Sequence, residues 1–320
     1  MRNLKVAVTG ASGYLGRMVI ARLESEPAVQ SILGLDVRPP AYTGKKLEFR
    51  AADVRTADFV RDFQGLDAVY HLAFVVQPSR RMAMAEIDAI NVGGSRRVFD
   101  QAIAAGVGRI VYASSVTVYG VHPDNPPVLT EASPLRPNPG WYYSRAKGQV
   151  EAYLDELERR HPHLIAIRLR LSVLLGPLIK NTIGKGLRQR VLISFLRDAR
   201  INFCWDEDAA EAFRLALFHA RSDCFNLAGD GALTVHEVGR LLGKKVVHLD
   251  RRALIPLAKL AHWFGALSQG EWEWLYTGCC GSLNVSAGKA KEQLGWTPRF
   301  DSAGAVREHA RSLGWPGAGC

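Results

Sequence analysis

A parallel β-sheet wound with helices on both faces is the fold class that this 320-residue sequence predicts, and three observations predict it. Short apolar runs alternate with stretches of helical period through the first half of the chain, the pattern of βαβ units. A glycine-rich loop, Thr9-Gly10-Ala11-Ser12-Gly13-Tyr14-Leu15-Gly16, follows the first apolar run and opens the first helical one. A carboxylate, Asp36, ends the second run, 20 residues after Gly16. Composition agrees with one substantial core: 48% of residues are hydrophobic and 22% charged.

Strands are predicted over 4–9, 31–36, 47–49, 68–72, 109–114 and 164–169. Helices are predicted over 14–26, stopped by Pro27, over 82–105 and over 142–160. Six prolines between 123 and 139 exclude regular structure there, and so long a loop inside a compact domain reads as functional. The pattern loosens after Pro177. The expected layout is a dinucleotide-binding domain over 1–175, with 206–230 returning to its sheet, and a smaller substrate-binding region over the rest of 176–320.

The glycine loop points to a dinucleotide. Gly10 permits the tight turn, Gly13 lets backbone approach a pyrophosphate and Gly16 lets helix pack on strand; the helix N-terminus beside Tyr14 and Leu15 favours the phosphate charge. Asp36 suits the ribose hydroxyls and repels a 2′-phosphate, which favours NAD. Arg38 is the counterweight, because it offers a partner to the extra phosphate of NADP. Asp53-Val54 follows the third strand, where Asp53 reads either as an adenine contact or as the N-cap of the next helix.

Tyr143 and Lys147 stand at i and i+4 on the helix 142–160, one above the other. An ammonium near a phenol favours phenolate, so this pair is expected to lower the tyrosine toward a working value for moving a proton to or from an alcohol oxygen.

These motifs resemble the extended short-chain dehydrogenases/reductases, the NAD-dependent epimerase/dehydratase group. The resemblance rests on the loop at 9–16, Asp36, Asp53-Val54, His71-Leu72-Ala73, the stretch Asn91 to Ser95, Tyr112 to Gly120, Tyr143 with Lys147, Arg170, Gly176-Pro177, the stretch Asp208 to Ala212, and Leu294 to Pro298. It implies a Rossmann sheet and NAD. Ser115 polarises the substrate oxygen, Tyr143 is the acid/base and Lys147 also holds the nicotinamide ribose. Leu72 and Ala73 line the cofactor and Asn91 supports the active-site helix. It also implies a homodimer through the two long helices. Val116-Thr117 replaces the acidic pair of the dehydratase branch, and Ser115-Val116-Thr117 is closer to the UDP-glucose/galactose 4-epimerase branch, in which Thr117 faces the sugar. Val173 and Ile201 depart from the nucleotide-sugar pattern. Two enzyme readings follow: an epimerase-like enzyme of a (nucleotide-)sugar, or an NAD(P)-dependent dehydrogenase/reductase of a non-sugar alcohol, ketone or aldehyde. A non-catalytic dinucleotide sensor is the third.

Tyr142 and Asn181 are candidate substrate contacts, with packing and a loop cap as their alternatives; residues 271–276 form a candidate pocket wall or core edge. The net charge of +10 attracts anions. Lys180, Lys185, Arg188, Arg190, Arg197 and Arg200 read as a solvated face or a phosphate-facing loop, and no nucleic-acid motif accompanies them. The segment 253–267 is too short to span a bilayer and reads as a packed amphipathic helix, with a helix resting on a membrane surface as its alternative. Five cysteines without CxxC spacing suggest reduced thiols and a cytoplasmic protein, and His161 and His163 lack partners at ligand spacing, so no metal is expected.

Overall fold

The computed structural model describes residues 3–76, 82–179, 182–267, 272 and 281–315. Strand β1 (Leu4–Thr9) leads through the glycine loop into α1 (Tyr14–Ser25), then β2 (Val29–Asp36), β3 (Leu47–Ala51), a short α2 (Val60–Phe63) and β4 (Ala68–His71). The predicted helix 82–105 is present but interrupted: α3 (Met84–Asp88) passes through a π turn (Ala89–Gly93) into α4 (Gly94–Ala104). There follow β5 (Arg109–Ser115), a 3-10 turn (Val116–Tyr119), the 19-residue α5 (Tyr142–Arg160) and β6 (Ile165–Leu171). The proline-rich stretch before α5 carries no regular element beyond a single bridge from Leu129 to Val285.

The C-terminal part adds β7 (Val173–Leu175), α6 (Thr182–Leu187), β8 (Val191–Ser194), β9 (Arg200–Ile201), β10 (Phe203–Trp205), α7 (Asp206–Ala216), β11 (Asp223–Leu227), β12 (Leu233–Thr234), α8 (Val235–Leu241), β13 (Lys245–His248) and α9 (Arg251–Trp263). Helices Gly288–Gln293 and Ser302–Ser312 close the described chain.

Seven strands form one parallel sheet in the order β3-β2-β1-β4-β5-β6-β11. The order reverses at β1, so a crevice opens between the carboxyl ends of β1 and β4, the position where doubly wound sheets bind ligands. Both faces of the sheet are covered. Along β1, Val6 and Val8 enter an apolar cluster with α1, α7 and Trp296, while Ala7 enters the opposite cluster with α4 and α5. Continuous apolar strands are what a sheet buried on two sides requires, and each fully buried aliphatic or phenyl side chain contributes about 1.5–3 kcal/mol. A third cluster joins β7, β10, α8 and helix Ser302–Ser312. Helix α7 packs on a face of the sheet and β11 pairs beside β6.

Candidate active site

The glycine loop is built so that no side chain fits inside it. Gly10 has φ +73°, a left-handed backbone that suits glycine, and a Cβ there would stand 2.6 Å from the Ala73 nitrogen and 2.8 Å from the Leu72 carbonyl carbon. A Cβ at Gly16 would meet the Gly10 oxygen at 2.1 Å. Gly13 caps α1, whose first turn carries no acid, so nothing opposes an anion at that helix end. Asp36 accepts the Ser12 amide at 3.1 Å and the Arg38 amide at 3.4 Å, which orients its carboxylate at the end of β2; the Arg38 side chain is exposed beside it. The Leu72 amide donates to the Thr9 carbonyl and the Ala73 amide to its hydroxyl, which brings the ends of β1 and β4 together. This acid-free helix end, the cradle and the carboxylate fit NAD.

Other expected cofactor residues are placed differently. The Tyr14 hydroxyl donates to Asp206 at the start of α7, so its side chain ties the loop to that helix and burial pushes the phenol up. The Asp53 carboxylate accepts the Arg55 guanidinium and amide, which hold it below the usual carboxylate range. Asp53 caps no helix: its carbonyl closes a turn with Thr56 and Ala57, and α2 begins after Phe59. Val54 packs against Gly94, where a Cβ would lie 2.5 Å from its methyl. Asn91 is fully buried in the π turn and brackets the Val75 backbone, accepting its amide at 2.7 Å and donating to its carbonyl at 3.0 Å. It braces the loop that carries Leu72 and Ala73 rather than facing a ligand itself. His71 is likewise internal, sharing hydrogen bonds with Thr9 and Ser95 at 2.8 Å each; burial and then the Lys147 charge push it down to about 3, so it is neutral.

Ser115, Tyr143 and Lys147 converge at the carboxyl end of β5. The Tyr143 phenol lies close enough to the Ser115 hydroxyl for the serine to act on its proton affinity, and that hydroxyl donates to the Leu171 carbonyl at 3.4 Å. Lys147 is buried one turn further along α5 and donates to the Ala113 carbonyl at 2.6 Å. Its ammonium lies 3.6 Å from the centre of the Phe74 ring, 4.8 Å from that of Tyr112 and 5.8 Å from that of Tyr143. Sequence reasoning missed Phe74, which also packs edge-on against Tyr143, and Trp141, tilted against the same ring. Their role depends on where the loop after β4 meets α5, and no local spacing encodes that. The expected lowering of Tyr143 does not occur in this arrangement. Burial pushes the phenol up to about 12 and the Ser115 hydroxyl pulls down without winning. Burial also brings Lys147 down to about 7, against the upward pull of Glu151. Desolvation outweighs the i,i+4 pairing for both groups.

A buried polar chain anchors α5. Glu151, one turn beyond Lys147, accepts Arg170 at 3.0 and 3.2 Å and the Ser114 hydroxyl; Arg170 donates to the Tyr119 hydroxyl at 2.8 Å, which donates to Asn226. The proline-rich loop is held by Asn138, which brackets the Val121 backbone, and by Ser144, which donates to the Thr117 carbonyl. The Thr117 and Ser172 hydroxyls are buried and have no hydrogen-bond partner among the described residues. Tyr142 turns into the sheet core with Ala146 and Val150, the packing role among its alternatives. Arg200 pairs with Glu237. Asn181, Lys180, Cys279, Cys280, Cys320 and the candidate wall 271–276 lie outside the described residues, except Trp272, which stacks on His262. Among the described residues Cys204 and Cys224 are free, no cluster of His, Cys, Asp and Glu could hold a metal, and no helix is long and apolar enough to cross a membrane.

The model of the NAD dependent epimerase/dehydratase family matches residues 6–228, from β1 through β11. The chain belongs to that family. The family is NAD-dependent, and solved members of the same fold carry bound NAD. An uncharacterised protein of Mycobacterium tuberculosis is 27% identical over 97% of this chain and 84% of its own length. The L-arabinose 1-dehydrogenase (NAD(P)(+)) of Haloferax volcanii is 31% identical over 53% of this chain and 67% of its own. Among solved structures, MoeE5 in complex with UDP-glucuronic acid and NAD superposes with a TM-score of 0.74 at 23% identity, covering 97% of this chain and 99% of that one. A UDP-galactose 4-epimerase gives 0.72 at 20% identity, with 97% and 99% covered. The likenesses to solved structures show the shared fold.

Proposed function

We propose that the chain is an NAD-dependent, epimerase-like enzyme acting at a secondary alcohol carbon of a sugar or nucleotide sugar. The observation that carries this reading is the Tyr143 phenol beside Ser115 with Lys147 buried one turn along the same helix, next to a cradle that fits NAD. Gly10, Gly13 and Gly16 would admit the pyrophosphate and Asp36 the adenosine ribose. Bound NAD supplies a carrier that takes a hydride from the carbon and can return it. The chain's own residues manage the oxygen: Ser115 holds it by hydrogen bond, Tyr143 accepts its proton on oxidation and gives a proton back on reduction. A protonated Lys147 favours the phenolate through its charge in a pocket from which water is largely excluded. Thr117 and Ser172 offer two unengaged hydroxyls near the ends of β5 and β6, suited to a polyhydroxylated substrate. Proton and hydride return to the same substrate, so turnover needs no second reductant.

A net dehydrogenase of a simpler sugar, alcohol or ketone is the second reading. Aliphatic Val173 in β7, Arg200 engaged by Glu237, and the 31% identity to the arabinose dehydrogenase favour it. The test is to denature freshly purified protein and identify the nucleotide released, then incubate the protein with UDP-glucose without added cofactor. Near-stoichiometric NAD and a change of sugar configuration support the epimerase. An empty protein that reduces added NAD with an alcohol or a free sugar overturns it in favour of the dehydrogenase.

A further inference from the structure

Helix α9 is present, yet its C-terminal half and the residue that follows it turn large apolar side chains outward. Leu257, Leu260, Trp263 and Phe264 are 64%, 52%, 82% and 78% exposed, whereas Leu254, Ile255 and Ala261 are half-buried and Ala258 is buried. At about 100° per residue these four side chains share one arc of the helix, opposite Ala258. A packed surface helix shows the reverse arrangement. The β8–β13 ribbon, which runs directly into α9, exposes apolar side chains of its own. Its parallel register pairs Lys245 with Val191 and Val247 with Ile193, and all four are exposed while Leu192 is buried behind them. The Leu249 amide donates to the Ser194 carbonyl, and α9 starts two residues later, so ribbon and helix adjoin. Seven of the thirteen large exposed apolar side chains among the described residues stand on these three elements or, for Phe264, directly after α9. So dense an apolar patch on a water-facing surface marks an interaction site.

The surrounding charge identifies the partner. Segments 182–201 and 235–267 hold eleven Lys and Arg against three Asp and Glu, most of the net +10 of the whole chain. Lys185, Arg188, Arg190, Lys245 and Lys259 are exposed there. A second copy docking through the same face would bring two net-positive surfaces together. We propose that α9 and the β8–β13 ribbon form a docking face for an anionic lipid bilayer. Leu, Trp and Phe enter the boundary between headgroups and acyl chains while the lysines and arginines meet the lipid phosphates. The 13-residue helix is too short to span the hydrocarbon, so it lies in the interface plane. This inference stands independently of the substrate reading, because none of its residues belongs to the site around Tyr143.

The test is flotation of the full chain with vesicles of phosphatidylcholine alone and of phosphatidylcholine mixed equally with phosphatidylglycerol, at low and high salt. The expected result is binding to the anionic vesicles, weakened by salt, and lost by about tenfold or more in Trp263→Glu/Phe264→Glu, with melting temperature and NAD binding unchanged since both side chains are exposed. Lys185→Gln/Arg188→Gln/Arg190→Gln should weaken binding to anionic vesicles while preserving the fold. Absence of binding to anionic vesicles overturns the proposal, as does equal binding by the Trp263/Phe264 variant. Concentration-dependent self-association that this variant abolishes also overturns it, in favour of a second copy on the same face.

Discussion

At the scale of single residues, the site depends on the cost of burying charge. Tyr143 and Lys147 share a helix face, but neither is exposed enough for their mutual attraction to dominate. Tyr143→Phe keeps the ring packed against Phe74 and removes only the proton carrier. Turnover should fall about 10²–10⁴-fold while NAD affinity, followed by fluorescence quenching, stays close to wild type; a fully active variant would remove Tyr143 from the chemistry. Glu151 touches no reacting atom and is a positioning residue: its carboxylate raises Lys147 toward the charged form. The ammonium is present below the Lys147 value near 7 and is lost as pH rises through it, so activity should decline on the alkaline side. Glu151→Gln removes the anion and lowers the lysine further, which moves that alkaline limb to lower pH; Glu151→Asp should restore part of the shift. The same substitution leaves Arg170 buried without its partner, at a cost of about 3–5 kcal/mol, so the pH profile is recorded below the variant's melting temperature. An unmoved profile with lowered stability would make Glu151 purely structural.

At the scale of elements, strands deliver reactive groups at their carboxyl ends and loops are pinned to receive them. The π turn at Ala89–Gly93 places Asn91 where its amide takes both polar groups of Val75. Asn91→Ala removes the side-chain partner of two part-buried backbone groups of Val75, at a cost below that of a fully buried unpaired group, about 1–3 kcal/mol, and frees the loop bearing Leu72, Ala73 and Phe74. NAD affinity measured by titration calorimetry should drop, with kcat less affected than KM for the cofactor; unchanged affinity would show that the loop holds without it. Periodicity revealed a helix over 82–105 but not the extra residue in its turn, because a π turn changes hydrogen-bond partners without disturbing the apolar pattern. Helix α9 shows a second limit of periodicity. Its amphipathic repeat was legible, but a repeat has no direction, and only packing shows which apolar side chains face solvent.

At the scale of the whole molecule, the C-terminal segment is locked onto the nucleotide-binding sheet by Trp296. This side chain is fully buried in the cluster shared by α1, α7 and β11, and its indole donates to the Asp208 carbonyl at 2.7 Å. Trp296→Ala should destabilise the protein by about 3–5 kcal/mol, read as a lowered urea midpoint; a smaller loss would mean that the segment is not part of the cooperative core. The sequence by itself determined the parallel sheet and pointed to the glycine loop, Asp36 and the Tyr143–Lys147 spacing as candidates, each a local pattern whose backbone or helical spacing carries its own physical reason; Ser115 came from the family resemblance. Tertiary structure alone decided that Phe74 covers Lys147, that Glu151 and Arg170 lie behind it, that Tyr14 reaches Asp206 and that Asn91 serves Val75. Those relations join residues far apart in the chain, and the burial that sets their protonation arises only when the elements pack.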